Sequence, residues 1–455
     1  MSLPVESGVP DEFPARPSSL LRNELLRINS KIEKRENATL VLLAFVYCLY
    51  GTGIGFYGPL YPQQAKSHEL ATYIYGPAMA INFFAALLFY PVACWMITSV
   101  SCRHSVSTSI FMIGVCKVLF GTLALITADY PFIFLSYGIQ IVEGIAFAIL
   151  LASTYIAIFS KVTKKTQRNN RIIQSVFLLG ISAGPLCAEA VHEAFNFSVP
   201  FYGIGIAIFL SGLLTATLLP EPDQKLSGKE MTIVSWIKKP GMLVYFLVVF
   251  ATSNYTGFLA VTLEPYLYQF HLKPLFIGAL FAVSPFACAL SVPAWNWMAG
   301  KGINSVLLIC IASVFIFTSL LLIGPAEFIR RHLNLTLTNV STALLLHGLG
   351  TGGKLASVIF SASRDLRSRH SLNGVQDPLL IPTMFASGSL LGYFSGSLIA
   401  GFAYFYLGMG EATNILFGLE GITVIVSFIF AFKRNYRSPR QLGASDERQP
   451  ILETT

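Results

Sequence analysis

The chain has 455 residues, of which 54% are hydrophobic and only 12% are charged, and its formal net charge is +8. Soluble globular proteins carry about 25% charged residues, so this composition excludes a water-soluble fold and indicates a protein whose solvent is lipid. The positive charge does not indicate nucleic-acid binding, because no basic run is interleaved with aromatic residues outside the apolar segments.

Twelve apolar segments follow one another, each long enough to cross a hydrocarbon core about 30 Å thick as a helix. They follow a polar segment, 1–36, whose prolines and charges are typical of a disordered tail, and a second such tail covers 433–455. The predicted helices cover 38–60, 73–97, 105–127, 131–159, 172–192, 199–219, 242–263, 275–298, 304–324, 339–362, 379–407 and 412–432. The sequence therefore predicts an all-α membrane protein with twelve transmembrane helices.

Lys and Arg residues are concentrated on one side of the predicted membrane. Of the 31 such residues, only Lys66, Lys273, Arg330 and Arg331 lie in the loops of the opposite side. The positive-inside rule then predicts that both tails and the central linker are cytosolic. Three glycosylation sequons, at Asn196, Asn334 and Asn339, fall on the non-cytosolic side in this topology.

The two halves of the sequence are related to each other. A shift of 202 residues superimposes Gly55 on Gly257, Gly76 on Gly278, Pro91 on Pro293 and Trp95 on Trp297. A shift of 212 superimposes Gly180 on Gly392 and Gly184 on Gly396. We therefore expect two pseudo-symmetric six-helix bundles, 37–219 and 242–432, joined by a cytosolic linker over 220–241. A central cavity can open to either side in this arrangement.

Several motifs place this pattern in a known family. They are Gly-Phe-Tyr-Gly-Pro-Leu-Tyr-Pro at 55–62, Tyr-Gly at 75–76, Ile-Val-Glu-Gly at 141–144, Gly180-x-x-x-Gly184-Pro185, Thr-Leu-Glu-Pro-Tyr-Leu at 262–267, and Pro293-x-Trp-x-Trp297. Together they resemble the major facilitator superfamily, within it the vesicular amine transporter family, and most closely its vesicular polyamine transporter branch. The resemblance implies that cytosolic polyamines or monoamines are exchanged for protons from an acidic vesicle.

Two departures from the family pattern bear on proton coupling. The loop after the second helix lacks the Asp of the superfamily's Gly-x-x-x-Asp-Arg motif, and Gln140 stands where the family has a membrane-embedded Arg. These departures keep two other functions open. One is a uniporter or symporter of another small solute, such as an organic anion, and the other is a membrane sensor or accessory protein that transports nothing.

Ionisable groups inside a membrane are costly and therefore are candidates for function. Glu143 lies one helical turn after Gln140, on the same face, and is the first candidate for cation binding or proton exchange. The alternative is a structural carboxylate paired with Lys117. Glu264 precedes Pro265, where a helix break could aim it into the cavity, or it is an interfacial residue.

Other polar residues have two interpretations each. Lys117 and Lys354 would repel a cationic substrate if they faced it without an acidic partner, which keeps an anion carrier open as an alternative. Asn82 and Asn254 either line the cavity or bond across helices, and His347 either relays protons or is a packed, hydrogen-bonded histidine. Glu189 is expected at the exposed end of the fifth helix.

Gly180, Gly184 and Pro185 match a pattern of superfamily antiporters and either seal one side of the cavity or serve helix packing alone. In the C-terminal tail, Glu447, Ile451 and Leu452 are similar to the acidic dileucine signal read by clathrin adaptors, although an unstructured tail is the alternative.

The sequence thus predicts a secondary transporter, not an enzyme, without catalytic residue, cofactor or metal. Its partners are protons, a small-molecule substrate and the lipid bilayer. Its membrane is vesicular, endosomal or lysosomal, with the plasma membrane as the alternative.

Overall fold

A computed structural model describes residues 19–159, 164–219, 235–238, 240–324, 336–373 and 380–446. The long helices in these ranges are α1 (Ser19–Gly55), α2 (Tyr57–Ser67), α3 (Thr72–Ser99), α4 (Cys102–Thr122), α5 (Asp129–Phe159), α6 (Lys164–Ala194), α7 (Ser198–Leu218), α8 (Pro240–Leu267), α9 (Pro274–Gly300), α10 (Ser305–Ile323), α11 (Leu337–Asn373) and α12 (Leu380–Asp446). Short 3-10 turns cover Leu123–Leu125, Ser235–Lys238 and Tyr268–Phe270.

The described helices provide twelve membrane crossings. The first crossing, Asn37–Ser67, joins α1 to its short continuation α2, and α3 to α11 supply nine more. The apolar part of α12 has 51 residues, which at 1.5 Å per residue would be about 77 Å long, far more than one crossing needs. Gly408 interrupts α12 with φ 77° and ψ 175°, so α12 is two helices joined at a kink. The predicted fold class is therefore confirmed.

The tails differ from the prediction. The first helix begins at Ser19 and the last ends at Asp446, so residues 19–36 and 433–446 are helical where disorder was expected. Residues 19–36 contain no Gly or Pro and are rich in Leu, Glu, Arg and Lys, which favour helices. Extension of a helix that already exists also needs no new nucleus, a factor that composition alone does not capture.

The sequence repeat reappears as equivalent contacts. In both halves, two glycines of one helix lie against two backbone carbonyl oxygens of a neighbouring helix. The contacts are Gly180 with Cys48, Gly184 with Thr52, Gly392 with Phe250, and Gly396 with Asn254. The glycines are related by the shift of 212 and the carbonyls by the shift of 202, so α6 packs on α1 as the first part of α12 packs on α8.

The two bundles meet mainly along two pairs of helices, α3 with α12 and α6 with α9, and also where α2 contacts α8. Gly76 of α3 faces Gly401 of α12, and the rings of Phe83 and Tyr393 stack with centroids 4.9 Å apart. These contacts extend toward the end of the molecule where α2 ends and α3 begins. We call this the distal end, because it is opposite the end where α7 stops and α8 starts.

Candidate functional site

A buried ion pair lies inside the first bundle. The Nζ atom of Lys117 on α4 is 2.8 Å from Oε1 of Glu143 on α5, and both side chains have no exposed surface. Tyr57 donates a 2.5 Å hydrogen bond to Oε2 of Glu143, and Lys117 donates one of 3.1 Å to the carbonyl oxygen of Gly53. Glu143 is thus paired with Lys117, as the interpretation of a structural carboxylate requires. A direct role of Glu143 in cation binding or proton exchange stays a hypothesis.

The predicted amide residues bond across helices. Asn82 on α3 donates to Oε1 of Gln140 on α5 over 3.1 Å, and both are buried. Asn254 on α8 donates to the hydroxyl of Ser395 on α12 over 2.7 Å, while its own Oδ1 atom is buried without a hydrogen-bond partner in the described part of the chain. These contacts join helices within each half.

Lys354 also has an acidic partner, which sequence reasoning missed. Its ammonium group on α11 forms an ion pair with Glu420 in the second part of α12, and both side chains are nearly inaccessible. Glu420 stands inside the apolar segment 412–432, and this position was a signal that could have identified it. Both lysines predicted inside the membrane are therefore neutralised by carboxylates of their own bundle.

His347 on α11 takes the position in the second bundle that Glu143 takes in the first. Gly144, next to Glu143, lies against the backbone of Asn82, and Gly348, next to His347, lies against the backbone of Ser284. The shift of 202 relates Asn82 to Ser284. The ring of His347 is buried, and its Nδ1 atom lies 2.6 Å from the Ser284 hydroxyl. This geometry is that of a packed, hydrogen-bonded histidine.

Glu264 and Glu189 lie at the distal end, where the two bundles meet. Glu264 on α8 is fully buried, and among the described residues no hydrogen bond of ordinary geometry reaches either carboxyl oxygen, although Tyr268 and Lys66 are close enough to interact with it. Glu189 on α6 is also fully buried, and its Oε1 atom accepts a 2.7 Å hydrogen bond from Gln63.

The expected exposure of Glu189 was therefore wrong. The end of α6 does not reach solvent at this residue because Gly278 of α9, in the other bundle, packs against the Glu189 side chain. The same glycine lies against the carbonyl oxygen of Pro185. Both buried carboxylates thus belong to the boundary between the bundles, whereas the pairs of Lys117 and Lys354 lie within a single bundle.

A cavity of about 330 Å³, which we call the distal cavity, opens beside Glu264 between the two bundles. Its first wall comes from α2, α3 and their connection, and its second from α8, α12 and the turn after α8. The lining residues are Pro62, Lys66, Leu70, Ala71, Thr72, Tyr75, Pro265, Tyr268, Tyr404 and Phe405. Three of these are tyrosines, Tyr75, Tyr268 and Tyr404, and all three lie within electrostatic range of the Glu264 carboxylate.

The predicted helix-packing motif contacts a helix of its own bundle and also lies at the boundary between the two bundles. Gly180 and Gly184 contact α1, and the ring of Pro185 lies against Gly55. The hydroxyl of Ser182, between the two glycines, donates a 3.0 Å hydrogen bond across the boundary to the carbonyl oxygen of Ala282. The motif therefore packs α6 against a helix of its own bundle on one face and of the other bundle on the next.

Two predicted modification sites lie at helix starts. Asn196 is exposed, and its Oδ1 atom accepts hydrogen bonds from the backbone N–H groups of Ser198 and Val199 at the start of α7. Asn339 lies in the first turn of α11. The third sequon residue, Asn334, and the proposed sorting residues Glu447, Ile451 and Leu452 lie outside the described residues.

Two helical bundles with equivalent internal contacts, a shared boundary and buried charges define a class of multi-pass membrane transporters. The chain belongs to the Major Facilitator Superfamily, whose sequence model matches residues 43–377. This membership makes the protein a secondary transporter, not an enzyme, and confirms the superfamily level of the resemblance. Comparison with curated proteins gave no significant match.

Solved transporter structures have the same fold. The human organic anion transporter MFSD10 (TETRAN) superimposes with a TM-score of 0.61 at 15% identity, over 86% of this chain and 99% of that one. A point mutant of the nucleoside transporter NupG gives 0.59 at 14% identity, over 87% of this chain and 99% of that one. At such low identity these similarities concern the fold alone.

Proposed function

We propose that this transporter is a proton-coupled antiporter that moves small organic cations, polyamines or monoamines, from the cytosol into an acidic organelle. The observation that carries the proposal is the position of Glu264. It is a fully buried carboxylate between the two bundles, and it has no ion-pair partner within salt-bridge distance among the described residues.

The surroundings of Glu264 suit an ammonium ion. Tyr75, Tyr268 and Tyr404 line the distal cavity, and the faces of aromatic rings attract cations electrostatically. Glu189 places a second buried carboxyl group on the opposite side of the boundary. A diamine or polyamine carries several ammonium groups and could engage both carboxylates in turn.

A buried carboxylate of this kind couples two ligands by competition. An ionised group inside a membrane is costly unless it is neutralised, either by a proton or by a bound cation. If Glu264 accepts only one of the two at a time, a proton that arrives from the acidic side displaces the amine, and an amine from the cytosol displaces the proton. The resemblance to the vesicular polyamine transporter branch supports the same exchange.

The membrane in which this exchange would occur is part of the proposal. The C-terminal residues Glu447, Ile451 and Leu452 support an endosomal, lysosomal or vesicular membrane reached through clathrin adaptors. The distal end of the bundle would then face the acidic lumen, in agreement with the few Lys and Arg residues in the loops of that side.

Uptake into proteoliposomes with an acidic interior tests the function. Labelled spermidine and a labelled monoamine are expected to accumulate, and a protonophore is expected to abolish accumulation. Glu264→Gln should abolish it as well, because the amide cannot exchange a proton. The matched control is Glu193→Gln, which changes an exposed carboxylate on α6, close to Glu189, and should leave uptake unchanged.

Three outcomes would contradict this proposal and separate its alternatives. Amine flux that ignores the proton gradient would indicate a uniporter. Flux of organic anions in place of amines would favour the anion carrier, for which Lys66 in the distal cavity is the supporting observation. No flux of either class would favour a sensor or accessory protein.

A further inference from the structure

One of the chain's own ammonium groups lies in the distal cavity. Lys66, near the end of α2, places its Nζ atom 3.7 Å from the ring centroid of Tyr268, which belongs to the other bundle. The side chain of Lys66 is exposed, so it can leave this position without crossing the protein. Lys66 is also close enough to Glu264 for electrostatic attraction.

One of the residues that line this cavity has an unused hydrogen-bond acceptor. Thr72 lines the same cavity and is 8% exposed, and its Oγ1 atom is buried without a hydrogen-bond partner among the described residues. A buried polar atom without a partner is costly, and a bound ligand can remove that cost. An N–H group of a bound ammonium ion could donate to this oxygen.

We propose that the distal cavity is a binding subsite for a small organic ammonium ion that arrives from the distal side, and that Lys66 occupies the ammonium position as a tethered competitor. The subsite extends the proposed function, on which it rests for the choice of ligand. The chemistry follows from Lys66 itself, because a position that holds one ammonium group over an aromatic ring, near a carboxylate, can hold another.

The size of the cavity limits the ligand. Its volume of about 330 Å³ is at the small end of the range of ligand sites, about 300–1,000 Å³. Pro62 and Phe405 add apolar walls beside the Tyr268 ring. The site therefore suits a monoamine, or one end of a polyamine, whose ammonium group takes the place of Lys66.

Binding to the purified full-length protein tests the subsite without any transport step. The probes are spermidine and methylammonium, and the measurement is titration calorimetry in detergent. Lys66→Gln vacates the position and should tighten binding about fivefold to tenfold, the size expected for a cation–π contact that no longer has to be displaced. Lys66→Arg keeps the competing charge and should bind as the unchanged protein does.

Lys301 provides the matched control. Its Nζ atom lies 3.8 Å from the ring centroid of Trp297, which is also a cation–π contact. This contact is at the C-terminal end of α9 and not in the distal cavity. Lys301→Gln should not change the affinity. In the Lys66→Gln background, Tyr268→Leu should remove the gain, whereas Tyr268→Phe keeps the ring and should retain it.

Three results would overturn the subsite: an unchanged dissociation constant in Lys66→Gln, an equal gain in Lys301→Gln, or a gain that survives Tyr268→Leu in a protein that still elutes as a monodisperse species. These results are distinct from failure of the proposed function. Absent amine uptake together with the expected binding gain would reject antiport and keep the subsite, and the reverse combination would reject only the subsite.

Discussion

The Nζ atom of Lys117 and the Oε1 atom of Glu143 are 2.8 Å apart, in a position where neither side chain has any exposed surface. The pair joins α4 to α5, and Tyr57 extends the network to α2 through its hydrogen bond to Glu143. Removal of one partner from a buried pair leaves an uncompensated charge, so the two residues should depend on each other.

The double substitution at this pair should therefore destabilise the protein less than either single substitution. Lys117→Met or Glu143→Gln alone should lower stability by about 3–5 kcal/mol, whereas the double variant should recover most of that loss. Thermal unfolding in detergent, followed by intrinsic fluorescence, measures the effect. Losses that simply add in the double variant would show that the two charges are not coupled.

The same experiment on Lys354 and Glu420 is an independent test of the second bundle. Lys354→Met should destabilise the protein, and the addition of Glu420→Gln should restore stability. Lys301→Met, which removes an exposed charge, should change stability by no more than about 0.5 kcal/mol.

Gly184 should tolerate no side chain, because a Cβ atom there would collide with the carbonyl oxygen of Thr52 on α1. Gly184→Ala is expected to cost about 1–3 kcal/mol through overpacking. Gly203 on α7 has no described residue within 4 Å of its Cβ position, so Gly203→Ala should be neutral or gain up to about 1 kcal/mol from helix propensity. Equal unfolding temperatures for both variants would refute the close contact of α1 with α6.

Gly76 should be required for closure of the distal end. A Cβ atom at this position would lie 2.7 Å from the Cα atom of Gly401, across the boundary between the bundles. Gly76→Val should keep each bundle folded but hold the distal end open, because the overlap involves two backbones that belong to different bundles. Transport is expected to fall at least about tenfold, since about 1.4 kcal/mol of lost closure is a factor of ten.

Labelling with a thiol reagent tests whether Gly76→Val opens the distal end. Tyr75→Cys, at a buried position that lines the distal cavity, should react faster in the Gly76→Val background than alone. Gly138→Val is the control, because none of the residues that the structure describes lies within 4 Å of its Cβ position. Equal labelling rates in the two backgrounds would show that this contact does not hold the distal end closed.

Gly408 should be essential to the kink in α12. Its φ of 77° with ψ of 175° lies in a region that is open almost only to glycine, so Gly408→Ala should cost about 1–3 kcal/mol. Gly418, in the second part of α12, has open space at its Cβ position, and Gly418→Ala should be neutral or stabilising. A protein unaffected by Gly408→Ala would contradict the kink between the last two crossings.

The candidate site could be predicted only in part. Glu143, Glu264, Lys117 and Lys354 were identifiable because a charge stands out in an apolar segment. For Glu143, the sequence left open whether it binds a cation or forms a structural pair with Lys117. Sequence reasoning missed Glu420 and the burial of Glu189. Burial at Glu189 depends on contact with Gly278, 89 positions later in the chain, and no local pattern reports that contact.

The sequence by itself determined the class of the protein, its twelve crossings and its internal repeat. These properties depend on the length of apolar runs against a bilayer of known thickness and on spacings along one chain, which are local quantities. Only the tertiary structure decided which charges are paired inside a bundle and which lie at the boundary. That distinction depends on how each helix is rotated about its axis and packed against its neighbours, and a rotation of half a turn would exchange the partners without changing a single residue.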